Sequence, residues 1–229
     1  MNINKKLTKV NFTDKNNTKR IKYIVVHYVG ATGGAKNNCD YFYNTYRGVS
    51  AHYFVGHQGE IWQCVDDADV SWHCGTSGAY KHKQCRNANS IGIEMCCKKD
   101  SRGNWYFEEE TVKATIELVQ YLMKKYNVKI ENVIRHYDVT GKTCPEPYVR
   151  NAAAWTTFKS RIIATLSIDV GDKVKLTTGA TYYDGKSIPT WVKLSTLYVR
   201  DINGDRVVIS TKREGDVTGA VHKKYLKEV

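Results

Sequence analysis

The sequence predicts an α/β fold in which a mixed central β-sheet is flanked by helices, followed by a small all-β barrel. Over residues 20–165, short apolar runs of strand length alternate with segments of helical periodicity, the pattern of a layered α/β domain. After Ser167 the chain consists of short β-rich runs separated by Gly, Asp and Asn turns, with a strong hairpin signal at Asn203-Gly204. A length of 229 residues accommodates one large domain and one small domain.

We place the domain boundary between the two patterns, which gives predicted domains of residues 1–166 and 167–229. Residues 1–20 are rich in polar and basic side chains and predict a polar arm ahead of the first strand. They contain no apolar core of the kind that secretion signals carry. We therefore expect a chain that is made in the cytoplasm without a signal peptide.

Apolar runs bounded by turn residues predict the strands of the first domain. They are residues 21–28 (IKYIVVHY), two runs within 50–65 (SAHYFVGHQGEIWQCV) around a turn at Gln58-Gly59, residues 90–97 (SIGIEMCC), and residues 133–139 (VIRHYDV), where a strand runs into a loop.

Helical periodicity predicts helices over residues 35–46, 108–126 and 151–166. The apolar stripes of the first two are Cys39, Phe42, Tyr43 and Tyr46, and Val112, Ile116, Val119 and Met123. The second is the clearest, since acidic residues occupy its first turn and lysines its last, as the helix dipole favours.

The net charge of +12 is spread along the chain without a dense run of Lys or Arg, which argues against a nucleic-acid partner. It leaves open either an ordinary solvated surface or a polyanionic partner such as wall phosphates. No apolar run approaches the roughly 20 residues of a membrane span, so we expect no membrane partner. The seven cysteines are odd in number and include no Cys-x-x-Cys pair, which favours free thiols over a disulfide framework or a structural zinc finger.

Three residues suggest a metal centre. His27 ends the strand of residues 21–28, His136 ends the strand in VIRHYDV, and Cys144 follows eight residues later. Two imidazoles and a thiolate suit tetrahedral zinc with one position left for water. The spacing of the three residues is weak evidence by itself. His27 taken alone also fits a core histidine whose ring nitrogens are hydrogen-bonded within the protein.

Five motifs occur in one order: VVHY, SAHYFVGHQGEIWQ, SWHCG, NSIGIE and RHYDVTGKTCP. Together they resemble the zinc-dependent N-acetylmuramoyl-L-alanine amidases, a type-2 amidase family shared with peptidoglycan recognition proteins and many phage endolysins. The resemblance covers about residues 20–165 and implies the type-2 amidase fold for the first domain.

The resemblance implies zinc as the cofactor and His27, His136 and Cys144 as its ligands. It also implies that Glu94 works with the metal-bound water. Some relatives instead use a tyrosine just before the histidine of the SAHY-like motif, and here that place is Ala51. We therefore expect Glu94 to carry out proton transfer unaided. The alternative is that Glu94 is an ordinary surface residue on a strand.

The remaining site residues follow from the same resemblance. Lys142 matches a basic residue that stabilises the oxyanion, with a solvated loop lysine as the alternative. Trp72 and His73, in SWHCG, match the lining of the substrate groove. We expect His52 to point into the fold, and Asp138 either to orient the loop around His136 or to be an ordinary surface residue.

The activity implied is hydrolysis of the amide between N-acetylmuramic acid and L-alanine in peptidoglycan, as in an endolysin. A bacterial autolysin with the same activity, or a non-catalytic peptidoglycan-binding or regulatory protein, is the alternative. The last 60 or so residues resemble SH3-like wall-binding barrels, and their Tyr182, Tyr183 and Trp191 fit either a wall-contacting surface or a core. We expect a monomer that binds the Gram-positive cell wall after release from a host cytoplasm.

Overall fold

A computed structural model describes residues 1–164 and 168–229. The chain divides into two compact units, Met1–Thr165 and Leu166–Val229. The predicted boundary at residues 166 and 167, and the last two residues of the predicted helix over 151–166, lie outside the described residues.

The first unit, in its described residues, has eight strands and five α-helices. The strands are β1 (Ile3–Lys5), β2 (Tyr23–Tyr28), β3 (Tyr53–Val55), β4 (Ile61–Gln63), β5 (Ser90–Met95), β6 (Lys98–Lys99), β7 (Trp105–Tyr106) and β8 (Val133–Arg135). The helices are α1 (Ala35–Tyr43), α2 (Glu109–Tyr126), α3 (His136–Thr140), α4 (Glu146–Arg150) and α5 (Ala152–Ala164).

Six of these strands form a mixed sheet in the order β1-β4-β3-β5-β2-β8. Strand β2 lies between β5 and β8 and is parallel to both, while β4 runs antiparallel to β3. Residues 23–27 of β2 are all buried, as are residues 90–93 of β5. Parallel strands covered on both faces read as continuous apolar runs, which is why these two segments are recognisable in the sequence.

Helix α2 supplies much of the core of the first unit. Ile116, Val119 and Met123 of its predicted stripe are buried, and Leu118 and Leu122 are fully buried beside them. Val112, the fourth predicted member, is only partly buried. The same apolar cluster contains Phe158 and Ile162 of α5 together with side chains of β2 and β5, so the sheet and two helices share one core.

The N-terminal arm is part of the fold, which corrects the prediction of a polar arm ahead of the first strand. Strand β1 lies within it and pairs in parallel with β4 at the sheet edge. Thr8 and Asn11 are buried although they are polar. Periodicity could not reveal this, because the strand has only three residues and the burial that follows it depends on hydrogen bonds.

Helix α1 ends at Tyr43, three residues before the predicted end, and Tyr46 is 71% exposed instead of lying on the buried face. The cause is Asn11, whose side-chain amide donates to Phe42 O at 2.7 Å and to Thr45 O at 2.8 Å. Its Oδ1 accepts from the N–H of Arg47 at 2.7 Å. A distant side chain thus takes over the backbone groups that further helical turns would have used.

The segment VIRHYDV also differs from its prediction. The strand stops at Arg135, and His136 is the first residue of α3 rather than the last residue of a strand. Asp138 explains the change, because its carboxylate accepts the N–H of Arg135 at 2.8 Å in the manner of a helix cap. The Arg135 guanidinium also donates to Asp138. Asp138 therefore fixes the turn that carries His136.

The second unit contains, in its described residues, five strands and one short α-helix. They are β9 (Lys173–Leu176), α6 (Thr190–Leu194), β10 (Leu197–Asn203), β11 (Arg206–Ser210), β12 (Gly219–His222) and β13 (Leu226–Glu228). The strands form an antiparallel sheet in the order β12-β11-β10-β9-β13.

This sheet has its own apolar core, which includes the fully buried Val174, Val199 and Val207. The predicted hairpin connects β10 to β11, with Asn203 paired to Arg206 and Gly204 at φ 59°. The predicted β-rich run around residues 180–187 forms isolated bridges instead of a strand, and α6 has no counterpart in the prediction.

Among the residues that the structure describes, no helix has both the length and the apolar character that crossing a bilayer requires.

Asn11→Ala should lower the free energy of unfolding by about 2–3 kcal/mol, since it removes the hydrogen-bond partner of the Thr45 carbonyl and of the Arg47 N–H. Asn2 is exposed and serves as the matched control, and Asn2→Ala should change stability by less than about 0.5 kcal/mol. Urea unfolding of the full chain measures both. Equal stability of the two variants would mean that the arm does not anchor the end of α1.

Candidate metal centre and cleft

Three chain segments meet at one edge of the central sheet. Strands β2 and β5 run parallel in a register that pairs His27 with Glu94. On the other side of β2, strand β8 leads into α3, whose first residue is His136. Cys144 lies in the segment after α3 and is held by a hydrogen bond from Tyr137 N to its carbonyl at 2.8 Å. The carboxyl ends of parallel strands therefore bring together residues far apart in the chain.

The ligand atoms of His27, His136 and Cys144 all lie within 4.8 Å of one another, and all three residues are buried. Cys144 Sγ is 3.7 Å from His27 Nδ1. These are the three residues that the sequence suggested as a metal centre, and the fold brings them together.

A metal ion fits this cluster on physical grounds. The Nε2 atom of His136 is buried and has no hydrogen-bond partner in the described structure. Burying such an atom without a partner is costly, and a cation would satisfy it. Two imidazole nitrogens and one sulfur form a donor set that suits zinc.

Burial also sets the protonation of the cluster. It lowers the pKa of His27 well below its usual value, helped by His73, His136 and Lys142, and it lowers the pKa of His136 to about 4. Both imidazoles are therefore neutral and able to offer a lone pair. Burial, with a contribution from Glu94, raises the pKa of the Cys144 thiol to about 12. Metal binding must therefore release the thiol proton.

Glu94 lies beside the cluster, with Oε1 3.9 Å from His27 Nδ1. Its Oε2 is buried without a hydrogen-bond partner in the described structure. Burial raises the pKa of Glu94 to about 8, against an opposing effect of Lys142. A carboxyl group whose pKa lies near neutrality is suited to accepting and releasing a proton.

A cleft of about 640 Å³ opens onto this cluster and is lined by His27, His136, Cys144, Glu94 and Lys142. The side chain of Lys142 is exposed, and no carboxylate within residues 1–164 and 168–229 forms an ion pair with it. Its charge acts on the buried groups, since it lowers the pKa values of both His136 and Glu94. The lysine is thus a free cation at the mouth of the site.

Aromatic residues form a further part of the cleft lining. Trp72 lines the cleft, donates its indole N–H to Thr13 at 2.9 Å, and packs edge-on against Tyr46 at a ring distance of 5.9 Å. Tyr41 also lines it and is 52% exposed. These rings add aromatic surface to the cleft beside the polar cluster.

Residues 17–147 match the model of the type-2 amidase family, described as N-acetylmuramoyl-L-alanine amidase. The chain belongs to this family. The relative named N-acetylmuramoyl-L-alanine amidase CwlL, from Bacillus licheniformis, is 35% identical over 188 residues, which are 76% of this chain and 48% of CwlL. This type-2 amidase chain thus spans about half the length of the curated relatives it matches.

Two solved structures show the same fold. PlyL aligns with a TM-score of 0.60 and 25% identity, covering 73% of this chain and 100% of PlyL. The catalytic domain of XlyA, a Bacillus subtilis protein, aligns with a TM-score of 0.56 and 27% identity, covering 71% of this chain and 99% of that domain. The mixed α/β architecture of the first unit is therefore the type-2 amidase fold.

His73, which was predicted to line the substrate groove, lies in the cleft of this amidase-family chain and is also tied into the protein. It lines the cleft but is only 8% exposed. Its Nδ1 is 2.9 Å from His27 Nε2, and its Nε2 is 3.0 Å from Ser90 Oγ. Both ring nitrogens are engaged within the protein, and contact between His73 and substrate stays a prediction.

His52 points into the fold, as expected, and is fully buried. Its Nδ1 accepts from Gly92 N at 3.0 Å and lies 2.7 Å from Ser71 Oγ. Ala51, the place where some relatives carry a tyrosine, is 1% exposed and lines the cleft with a methyl group. No hydroxyl from that position reaches the site.

Sequence reasoning missed part of the cleft lining. Asn37, Tyr41 and Val49 all line it, from α1 and the loop that follows. Asn37 and Tyr41 fall outside the predicted apolar stripe of the helix, and Val49 lies in the loop after it, so no sequence pattern pointed to them.

Proposed function

We propose that the chain is a zinc-dependent N-acetylmuramoyl-L-alanine amidase of the endolysin type. Its substrate is peptidoglycan, and the bond cleaved joins the lactyl carbonyl of N-acetylmuramic acid to the amine of L-alanine. The observation that carries the proposal is the buried cluster of His27, His136 and Cys144 beside Glu94, at the base of a cleft, in a chain of the type-2 amidase family. A sensor that only binds peptidoglycan has no need of such a complete arrangement.

Zinc would be held by His27 Nδ1, His136 and Cys144, with Nδ1 chosen because Nε2 of His27 already contacts His73. When bound, zinc supplies Lewis acidity and a water of lowered pKa.

Glu94 is positioned to move the proton. Because its pKa is already raised by burial, it can take a proton from the attacking water and return it to the leaving amine of L-alanine as the C–N bond breaks. Lys142 is a cation in the cleft lining that forms no ion pair with a described carboxylate. It stabilises the negative charge that develops on the carbonyl oxygen. Trp72 and Tyr41 offer faces against which a sugar ring can pack.

The second unit is proposed to be an SH3-like domain that binds the Gram-positive wall and concentrates the catalytic unit there. Its antiparallel sheet and separate core agree with an independent module. Trp191 and Tyr183 are 62% and 42% exposed, whereas Tyr182 packs against the core. The two exposed aromatics are the contact candidates. The enzyme would act at the wall as a monomer after release from a host cell.

Cys144→Ser should abolish zinc binding at stoichiometric concentration and with it peptidoglycan hydrolysis, because a hydroxyl is a poor replacement for a thiolate ligand. Cys97→Ser is the matched control, since the buried Cys97 thiol already donates to Ala31 O. Metal content after gel filtration and dye release from purified walls measure the two effects. A Cys144→Ser protein with full zinc and full activity would remove Cys144 from the ligand set.

Glu94→Gln should lower kcat by roughly 100-fold or more and leave zinc content intact, since the amide cannot accept the water proton. Glu117→Gln, at an exposed position on α2, is the control and should retain full activity. Mass analysis of digested muropeptides identifies the bond cut and the rate of cutting. Loss of zinc together with activity in Glu94→Gln would instead assign Glu94 a role in holding the metal site.

Trp191→Ala and Tyr183→Ala should each weaken binding of the full chain to insoluble walls by about fivefold or more, the scale of an interface residue that contributes over 1 kcal/mol. Hydrolysis of soluble muropeptides should not change. Leu194→Ala is the control, because Leu194 is 76% exposed in the same unit but is not aromatic. Co-sedimentation with purified walls gives the affinity, and unchanged binding of both aromatic variants would contradict wall binding through these two residues.

A further inference from the structure

We infer that His73 is a positioning residue which, together with Ser90, fixes the tautomer of His27 so that its Nδ1 lone pair faces the metal. The inference deepens the proposed zinc site and rests on it. It gives a role to two segments, SWHCG and NSIGIE, beyond the site residues Trp72 and Glu94.

The direction of each hydrogen bond follows from the serine. Ser90 is fully buried, and its hydroxyl donates to Arg86 O at 2.7 Å. With that proton committed, Ser90 Oγ can only accept from His73 Nε2, 3.0 Å away. The hydrogen of a neutral His73 ring is therefore on Nε2, and its Nδ1 is an acceptor.

The chain of hydrogen bonds from Ser90 through His73 continues to His27 in the proposed metal site. His73 Nδ1, as an acceptor, must receive a hydrogen from His27 Nε2 at 2.9 Å. A neutral His27 then carries no hydrogen on Nδ1, the atom that faces Cys144 Sγ at 3.7 Å. The opposite arrangement would place a hydrogen on Nδ1, which would block its lone pair. Such outer partners of metal-binding histidines set the ring orientation and strengthen the ligand.

The fold holds His73 in place for this contact. Asn87 Oδ1 accepts the backbone N–H of His73 at 3.1 Å and that of Cys74 at 2.7 Å. A Cβ atom at Gly92 would lie 2.5 Å from His73 Cγ, so only glycine lets the imidazole lie against β5. The loop and the strand thus define one position for the ring.

One face of β5 carries this arrangement. Ser90, Gly92 and Glu94 alternate along the strand and share a face, because side chains in a strand repeat every two residues. Ser90 accepts from His73, Gly92 makes room for its ring, and Glu94 reaches the metal cluster. The spacing S-x-G-x-E is therefore a structural requirement of the site.

The test compares two substitutions at His73. In His73→Asn, the side-chain Oδ1 stands near the former Nδ1 and can accept from His27, whereas His73→Leu offers no acceptor. Zinc affinity, measured by competition with a chromophoric chelator, should fall by about 10–100-fold in the Leu variant and be largely restored in the Asn variant. The absorption spectrum of the cobalt-substituted protein should be altered in the Leu variant but not in the Asn variant.

Ser90→Ala removes the contact between Ser90 and His73 without changing an imidazole, and it should also lower zinc affinity. Ser71→Ala is its matched control, because Ser71 is equally buried but contacts His52 instead of His73. If the Leu variant does not fold, this serine pair decides the question. Unchanged zinc affinity and an unchanged cobalt spectrum in Ser90→Ala and in folded His73→Leu, whatever their melting temperatures, would overturn the inference. A wild-type protein that binds no zinc would instead overturn the proposed metal site itself.

Discussion

The parallel pairing of β2 with β5 is the constraint on which the site depends. Its register sets His27 opposite Glu94, and so fixes the distance between a proposed ligand and the proposed proton carrier. A slip of one residue would turn every side chain of β5 to the other face of the sheet. Glu94 would leave the cluster, and Ser90 would no longer meet His73. Both faces of β5 are buried, and they differ in size: a slip would bring Ile91 or Ile93 to the place of Gly92, where even a Cβ atom would lie 2.5 Å from His73 Cγ.

Burial from this core then determines the chemistry of the cluster. It keeps both imidazoles neutral, keeps the Cys144 thiol protonated and raises the pKa of Glu94 to about 8. Each shift disfavours charge in a low-dielectric environment. A bound divalent cation reverses the effect of burial on the Cys144 thiol, because it stabilises the thiolate. It also uses the lone pairs that the neutral imidazoles offer. The same burial therefore disfavours charge in the cluster and makes it receptive to a metal ion.

The central strands and the set of possible ligands could be predicted from the sequence, for physical reasons. Buried parallel strands such as β2 give continuous apolar runs, and His27, His136 and Cys144 stand in motifs whose combination is specific. Two features could not be predicted. The end of α1 depends on Asn11, more than thirty residues away, and the contacts of His73 depend on Ser90 and Gly92 of β5. Local patterns do not record which distant polar group a side chain will meet.

The three proposed ligands come from separate segments of the chain, and the fold holds each segment independently of a metal ion. In small zinc domains the ion supplies most of the folding energy. Here the segments that carry His27 and His136 are held by strand pairing and by a core of β2, β5, α2 and α5, and Cys144 is held by a backbone bond to Tyr137. The scaffold can therefore place the ligands without the ion's help. Because the ligand geometry is already set by the fold, outer contacts such as the one between His73 and His27 can act on affinity and coordination, and a change there need not disrupt the sheet.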